Sequence, residues 1–187
     1  MNKFNLIICM SILTCFLFTA CSKDDPEIPN EEEVITSLNY TLSPTTGGGE
    51  TVTLRFLDLD GDGGDAPIIS GGTLVANQTY SGSLELLNEA ETPTEDITDE
   101  IREEDEDHQL FFQSTIADLD ISYGDQDEDG NPIGLSTTLR TGAPASGNIT
   151  ITLRHEPSKS ATGVSGGDIS NAGGETDIEV TIPIDVQ

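Results

Sequence analysis

Strict alternation between apolar and polar residues at the C-terminal end restricts the fold more than any other feature of the chain. The apolar positions of this stretch are Ile178, Val180, Ile182, Ile184 and Val186. Because successive side chains of a strand point to opposite faces, a period of two predicts a strand with one buried and one solvated face. Pro183 cannot donate a hydrogen bond to a neighbouring strand, so the pattern places this strand at a sheet edge.

Other segments alternate in the same way and are separated by residues typical of turns. The clearest rows are Leu38, Tyr40 and Leu42; Val52, Leu54 and Phe56; and Ile149, Ile151, Leu153 and His155. Together with shorter candidates they give about nine strands, which predicts a mainly β protein. We expect an antiparallel, immunoglobulin-like β-sandwich in which each sheet has one wet face.

One segment has helical spacing instead. Thr92-Pro93-Thr94-Glu95 has the form of a capping box with Pro at the first helical position. Ile97 and Ile101 then lie one turn apart and can pack on a sheet. The sequence therefore predicts one short acidic helix near residues 93–107.

The N-terminal residues have the pattern of a secretory signal. Lys3 precedes an apolar run that is too short to span a bilayer comfortably and that ends in small residues before Cys21. This end resembles a bacterial lipobox, in which the cysteine is lipidated, and Ser22-Lys23-Asp24-Asp25 is similar to the export signal of Bacteroidota surface lipoproteins. We expect a lipoprotein signal peptide at 1–20, lipidation of Cys21, an acidic tether at 21–33 and a single sandwich domain at 34–187.

The net charge of the chain excludes one class of partner. The chain has 35 acidic and 7 basic residues, a formal net charge of −28. A surface this negative repels phosphate backbones, so nucleic acid is excluded as a partner. We expect contact with the membrane through the lipid anchor alone, on the outer membrane and at the cell surface. The remaining partner class is an outer-membrane transporter or another surface protein.

Two acidic loops have the Asp-x-Asp-x-Asp-Gly spacing that begins a calcium-binding loop. Their candidate calcium ligands are Asp58, Asp60, Asp62 and Asp65 in the first loop and Asp125, Asp127 and Asp129 in the second. Neither loop has Glu at position 12, so an EF-hand is excluded, but a looser calcium loop between strands is possible. The alternative is a solvated hairpin whose carboxylates accept turn hydrogen bonds. Calcium is the one cofactor predicted.

A second candidate metal site contains nitrogen. Glu100, Glu104 and His108 follow each other at intervals of four, which places them on one face of a helix continued to residue 108. His155 is the other histidine, and it could join them to form a transition-metal site. The alternatives are a solvated charged face and, for His155, a packed and hydrogen-bonded histidine.

Four blocks resemble a family of small flavobacterial lipoproteins of unknown function. They are Glu-Asp-Ile-Thr at 95–98, Asp-His-Gln at 107–109, Asn-Pro-Ile-Gly-Leu at 131–135 and Asn-Ala-Gly-Gly-Glu-Thr-Asp-Ile-Glu-Val at 171–180. Such proteins are often labelled as members of a type 1 periplasmic binding fold superfamily. That fold has two α/β lobes, which the strand pattern here does not predict. The resemblance implies an anchored envelope protein and supplies no catalytic residues.

These observations predict a surface-exposed outer-membrane lipoprotein that is not an enzyme. It would act as a binding or accessory module, in its most specific form as a cation-binding partner of a transporter. One alternative is a calcium-stabilised structural or adhesive surface protein. A second is a metal-dependent hydrolase that uses Glu104, His108 and His155.

Overall fold

Two β-sheets packed against each other form the described part of the chain. The computed structural model describes residues 33–61 and 63–187, so the predicted signal, Cys21 and Asp62 lie outside the described residues. The described strands, in chain order, are β1 Ser37–Pro44, β2 Val52–Leu57, β3 Ile68–Ser70, β4 Gly72–Leu74, β5 Thr79–Asn88, β6 Glu95–Asp96, β7 His108–Ser114, β8 Asp120–Tyr123, β9 Ser136–Arg140, β10 Ala145–His155 and β11 Glu175–Val186. An α-helix, α1, spans Ile97–Glu103, and two short 3-10 helices span Val164–Gly166 and Ile169–Asn171.

The larger sheet has the strand order β3-β2-β1-β5-β9-β8, and β6 pairs with β5 outside this path. The smaller sheet has the order β4-β11-β10-β7. All pairs within both sheets are antiparallel except β11 with β4, which is parallel. The prediction of a mainly β sandwich with one short helix is thereby confirmed, with one parallel pair that the sequence pattern did not indicate.

The core lies between the sheets and is formed by the alternating rows. Leu38, Tyr40 and Leu42 of β1 are fully buried, as are Ile149, Ile151 and Leu153 of β10. The apolar side chains of β11 from Val180 to Val186 pack in the same core. A second, smaller cluster of Phe111, Val164 and Ala172 covers the outer face of the smaller sheet.

The last strand is not an edge strand, contrary to the expectation from Pro183. β11 pairs with β10 along its whole length and with β4 through Ile184–Val186. Pro183 is tolerated because the β4 ladder is only three residues long and begins at Ile184. The missing N–H therefore falls just outside the parallel pairing.

The helix is shorter than predicted. Glu95 and Asp96 pair with β5 as β6, so the chain remains extended past Pro93, where the helix was expected to start. Asp96 is the N-cap and accepts a hydrogen bond from the Thr98 amide at 3.1 Å. Ile97 and Ile101 are buried against the core, as expected. None of the helices within residues 33–61 and 63–187 has the length and apolar character needed to cross a bilayer.

Candidate metal centre

Two imidazoles and two carboxylates meet at one end of the inter-sheet core. They belong to Glu33, His108, His155 and Asp177, and one ligand atom from each lies within 4.8 Å of the others. The side chains of His108 and Asp177 are fully buried, and those of Glu33 and His155 are 8% and 11% exposed. Four ionisable groups in one buried cluster are costly to fold unless their charges are balanced.

The two histidines are neighbours because the sheet register makes them so. His108 is the first residue of β7 and pairs directly with His155, the last residue of β10. Side chains directly opposite on antiparallel strands have Cβ atoms about 5 Å apart. The ring centroids accordingly lie 4.6 Å apart. His155 continues the buried row of Ile151 and Leu153, so the pair forms the polar end of an otherwise apolar core.

Asp177 joins the pair through a β-bulge. On β11, Ile178 pairs with Leu153 and Thr176 with Arg154, so Asp177 is the extra residue between them. A bulge redirects a side chain relative to the regular alternation of its strand. Regular alternation would place Asp177 on the face opposite Ile178, yet its carboxylate is fully buried and lies 3.9 Å from His155 Nδ1.

Glu33 comes from the segment that precedes β1, which belongs to the other sheet. Its Oε1 lies 2.8 Å from His108 Nε2 and its Oε2 lies 3.6 Å from His155 Nδ1. Among the described residues, Glu33 Oε2 and His155 Nδ1 are buried without a hydrogen bond. These two atoms lie 3.6 Å apart, a distance at which both can contact one small cation.

The pKa values of Glu33 and His108 shift in opposite directions because the two side chains are paired. Burial alone would raise the pKa of Glu33, but the hydrogen bond and positive charge of His108 lower it to about 2. Burial would lower the pKa of His108, yet its bonds to Glu33 and to the Glu104 carbonyl raise it above the usual value. His108 therefore holds a proton more readily than a free imidazole does, and both of its ring nitrogens lie beside oxygen acceptors. A bound divalent cation would replace the proton on Nε2.

The backbone already orients His108 as a metal-ligating histidine. Its Nδ1 lies 3.0 Å from the Glu104 carbonyl oxygen, which can only accept, so Nδ1 carries the hydrogen. Loss of the other proton leaves a lone pair on Nε2, directed into the cluster. A backbone carbonyl holding the second ring nitrogen is a usual support for a ligating histidine.

The spacing of the four groups suits a small transition-metal ion. Zn²⁺ takes four ligands at about 2.0–2.2 Å, which places tetrahedral ligand atoms roughly 3.3 Å apart. The contacts of 2.8, 3.6 and 3.9 Å lie on both sides of that value. The full set of ligand atoms extends to 4.8 Å, so the side chains would have to move closer together around a bound ion. Calcium is less suitable, because it prefers six to eight oxygen ligands.

Half of the transition-metal set predicted from sequence is found at this centre. The structure brings His108 and His155 together, but the carboxylates of Glu100 and Glu104 are not in the converging group. The predicted row on one helix face does not form, because α1 ends at Glu103 and His108 lies on a strand. Glu104 contributes its carbonyl, and Glu100 has a raised pKa because of burial and the negative charges of Glu95 and Glu33.

The two missed ligands gave no usable sequence signal. Glu33 sits at the end of an acidic run and was assigned to the tether. Asp177 was assigned to the solvated face of the last strand, because nothing in Glu175-Thr176-Asp177 marks a bulge. Both positions depend on tertiary placement: a chain crossing from one sheet to the other, and a one-residue change of register.

The first acidic loop is held by its own backbone. Asp58 Oδ1 accepts the Gly61 amide at 3.0 Å, and Asp60 Oδ2 accepts the Asp65 amide at 2.9 Å. These are the bonds expected of a solvated turn. Calcium binding by Asp58, Asp60 and Asp65 stays a prediction, as it does for Asp62, which lies outside the described residues.

In the second loop the carboxylates are bonded to protein groups. Asp125 accepts the amides of Gly134 and Ser136, each at 2.8 Å. Asp127 accepts the Asn131 amide at 2.7 Å and the buried Lys159 ammonium at 2.9 Å. An ammonium thus occupies the place at which a calcium ion would contact Asp127. Coordination by Asp125, Asp127 and Asp129 also stays a prediction.

A cleft of about 660 Å³ lies beside the centre and shares Asp177 with it. Asp177 and Glu179 line one side, and Val34, Phe56 and Asp58 line another. The acidic residues that line the cleft would attract cations to this part of the surface.

The chain was compared with family models, curated proteins and solved structures. No family model matches the chain, and no curated protein matches it. Domains 4 and 5 of the S-layer protein SbsC, in a solved structure, match over 79% of this chain and 75% of that one, with 13% identity and a TM-score of 0.29. At that level of similarity the match carries no argument about fold or function.

Proposed function

We propose that this protein is a non-enzymatic metal-binding module that holds one transition-metal ion, with Zn²⁺ as the best fit. The observation that carries the proposal is the buried convergence of Glu33, His108, His155 and Asp177 within 4.8 Å. Two imidazoles and two carboxylates form a complete donor set for tetrahedral zinc. A divalent cation would also neutralise the two carboxylates once His108 has lost its proton.

A stabilising role suits this site better than catalysis. A catalytic zinc keeps a coordination position open for water, whereas a structural zinc is closed by four protein ligands. Here four protein groups are already assembled, and the site ends a hydrophobic core. The hydrolase hypothesis drew on Glu104 as a third functional group, but the carbonyl of Glu104, not its carboxylate, faces His108.

The cellular setting of the proposal comes from sequence alone. The signal pattern at 1–20 and the lipobox resemblance at Cys21 support a lipid-anchored protein of the outer-membrane surface. The role as a cation-binding partner of a transporter belongs to the same proposal. At the cell surface, bound metal would add to the free energy of unfolding of the domain, because a ligand that binds only the native state stabilises it.

The test is calorimetric titration of the purified, chelator-treated protein with Zn²⁺ and, separately, with Ca²⁺. We expect one Zn²⁺ per chain and a loss of affinity of at least about 100-fold in His108→Gln and in His155→Gln. Glu104→Gln is the matched control, because it keeps the carbonyl that orients His108 and should bind Zn²⁺ as the wild type does. Absence of Zn²⁺ binding, or equal binding by His108→Gln, would contradict the proposal.

Thermal melting gives an independent readout. At a free Zn²⁺ concentration of about 100 times Kd, binding adds roughly 2.7 kcal/mol to the free energy of unfolding. For a domain of this size, that raises Tm by roughly 5–11 °C. Asp58→Asn, in the first acidic loop, should keep this shift in full. If the shift instead depended on Asp58 and followed Ca²⁺, the loops would be the metal sites.

A further inference from the structure

The candidate metal centre joins parts of the protein that the strand pairing leaves separate. His108, His155 and Asp177 lie on β7, β10 and β11, three neighbouring strands of the smaller sheet. Glu33 precedes β1, which lies within the larger sheet. The fourth ligand therefore reaches across the end of the core from one sheet to the other.

We infer that metal binding fixes the N-terminal segment Glu33–Ile35 onto the smaller sheet. This inference rests on the proposed function, because it assigns a consequence to occupancy of the same site. Without the ion, the described link between Glu33 and that sheet is its contact with the two histidines.

Among residues 33–61 and 63–187, backbone pairing begins after this segment. Thr36 is the first residue held firmly: its amide donates to the Leu87 carbonyl at 3.0 Å, and its hydroxyl accepts the Glu89 amide at 2.7 Å. Before it, Val34 is 61% exposed, and Ile35 is only partly buried against the core. Within the part of the chain that the structure describes, Glu33 is thus the outermost attachment of this short stretch.

Coordination would change the character of that attachment. A hydrogen bond between His108 and Glu33 ties the segment to one side chain of β7. A metal ion ligated by Glu33 ties it to three strands at once, in a geometry fixed by the ion. Ordering of Val34 and Ile35 and binding of the ion must then favour each other, since coupling between two equilibria is reciprocal.

The experiment measures backbone order by NMR relaxation at the Val34 and Ile35 amides, on the same samples used for calorimetry. With Zn²⁺ bound, we expect order parameters near 0.85, and after chelation values below about 0.6. Glu33→Gln should still bind Zn²⁺ through the other three ligands, with affinity reduced by about 10- to 100-fold, while Val34 and Ile35 remain at the chelated values. Glu50→Gln, an exposed acid, is the control and should behave as the wild type.

The outcomes separate the inference from the function on which it rests. If the wild type binds one Zn²⁺ and Val34 and Ile35 do not change, the inference is wrong and the metal-binding proposal stands. The inference is equally wrong if Glu33→Gln orders the segment on Zn²⁺ addition as the wild type does. If calorimetry detects no Zn²⁺ binding at all, both fail together.

Discussion

The buried ion pair between Lys159 and Asp127 offers the sharpest test of how the loops beside the candidate metal centre are held. Lys159 Nζ lies 2.9 Å from Asp127 Oδ2, and the two side chains are 4% and 1% exposed. The ammonium also donates to the Asp105 carbonyl, in the turn that leads to His108. Lys159 therefore connects the segment after β10 with the acidic loop and the turn after α1.

Lys159→Met keeps most of the side-chain packing but leaves a buried carboxylate without its cation. Breaking a buried pair by removing one partner costs about 3–5 kcal/mol, and so little exposure leaves no room for screening by water. We expect a loss of about 3 kcal/mol in the free energy of unfolding, which lowers the urea midpoint by roughly 1.5 M. Far-UV circular dichroism is the readout, since the chain has no Trp.

Two further variants test whether the ion pair between Lys159 and Asp127 stabilises these loops. Adding Asp127→Asn to Lys159→Met removes the uncompensated charge and should restore most of the loss. Arg102→Met breaks the exposed pair with Asp99, whose side chains are 54% and 69% exposed, and should cost under about 0.5 kcal/mol. If Lys159→Met costs no more than Arg102→Met, the pair does not hold these loops.

The same pair predicts a loss of stability in acid. Burial would raise the pKa of Asp127, but the hydrogen bond and charge of Lys159, with the Asn131 amide, lower it below its usual value of 3.8. A carboxyl group whose pKa is lowered by folding stabilises the native state above that usual value and ceases to do so as pH falls through the lowered one. The wild type should therefore lose this contribution to its free energy of unfolding as pH falls below about 4, and Lys159→Met should not show that part of the loss.

Two other predictions concern the packing near β7 and β8. Gly134→Ala should lower the free energy of unfolding by more than about 1 kcal/mol, because φ is +99° and an added Cβ would lie 2.7 Å from Leu110 Cβ. Urea unfolding measures this loss. An unchanged urea midpoint would mean that the loop moves to accommodate the methyl group. Burial raises the pKa of the Tyr123 hydroxyl, which also donates a hydrogen bond to the Leu110 carbonyl at 2.8 Å. The hydroxyl contributes fully to the free energy of unfolding below about pH 10, and this contribution is lost as pH rises further. Urea titrations should therefore show that the wild type is more stable than Tyr123→Phe at neutral pH but not in alkali. A stability difference that stays constant with pH would contradict this prediction.

Local pattern was enough to predict the sheets, because burial of alternate side chains leaves a direct mark on the sequence. The row that ends in His155 was identified in this way, including the face to which the imidazole belongs. Pattern was insufficient where two local signals competed: Thr92-Pro93-Thr94-Glu95 has a helix-start form, but Glu95 and Asp96 complete a strand pair with β5 instead. Pairing with a strand already in place overrode the capping signal.

Prediction of the candidate site failed for a different reason. His108 and His155 were selected as the scarce nitrogen ligands, and their pairing across β7 and β10 needs only the correct register. Glu33 and Asp177 are two of 35 acidic residues, so composition gave them no prominence. Their role depends on a crossing between sheets and on a bulge, neither of which leaves a mark on neighbouring residues.

The position of Glu33 has a mechanical consequence. β1 lies between β2 and β5. Without a metal, a pulling force that arrives from the N-terminal side acts first on the contact between Glu33 and the two histidines, and then on the hydrogen bonds of Thr36 and β1. With a metal at the candidate centre, the same force would pass through Glu33 to β7, β10 and β11 before it reaches β1. The ion would then divide the load between both sheets, and the force needed to detach the first strand would rise with metal occupancy.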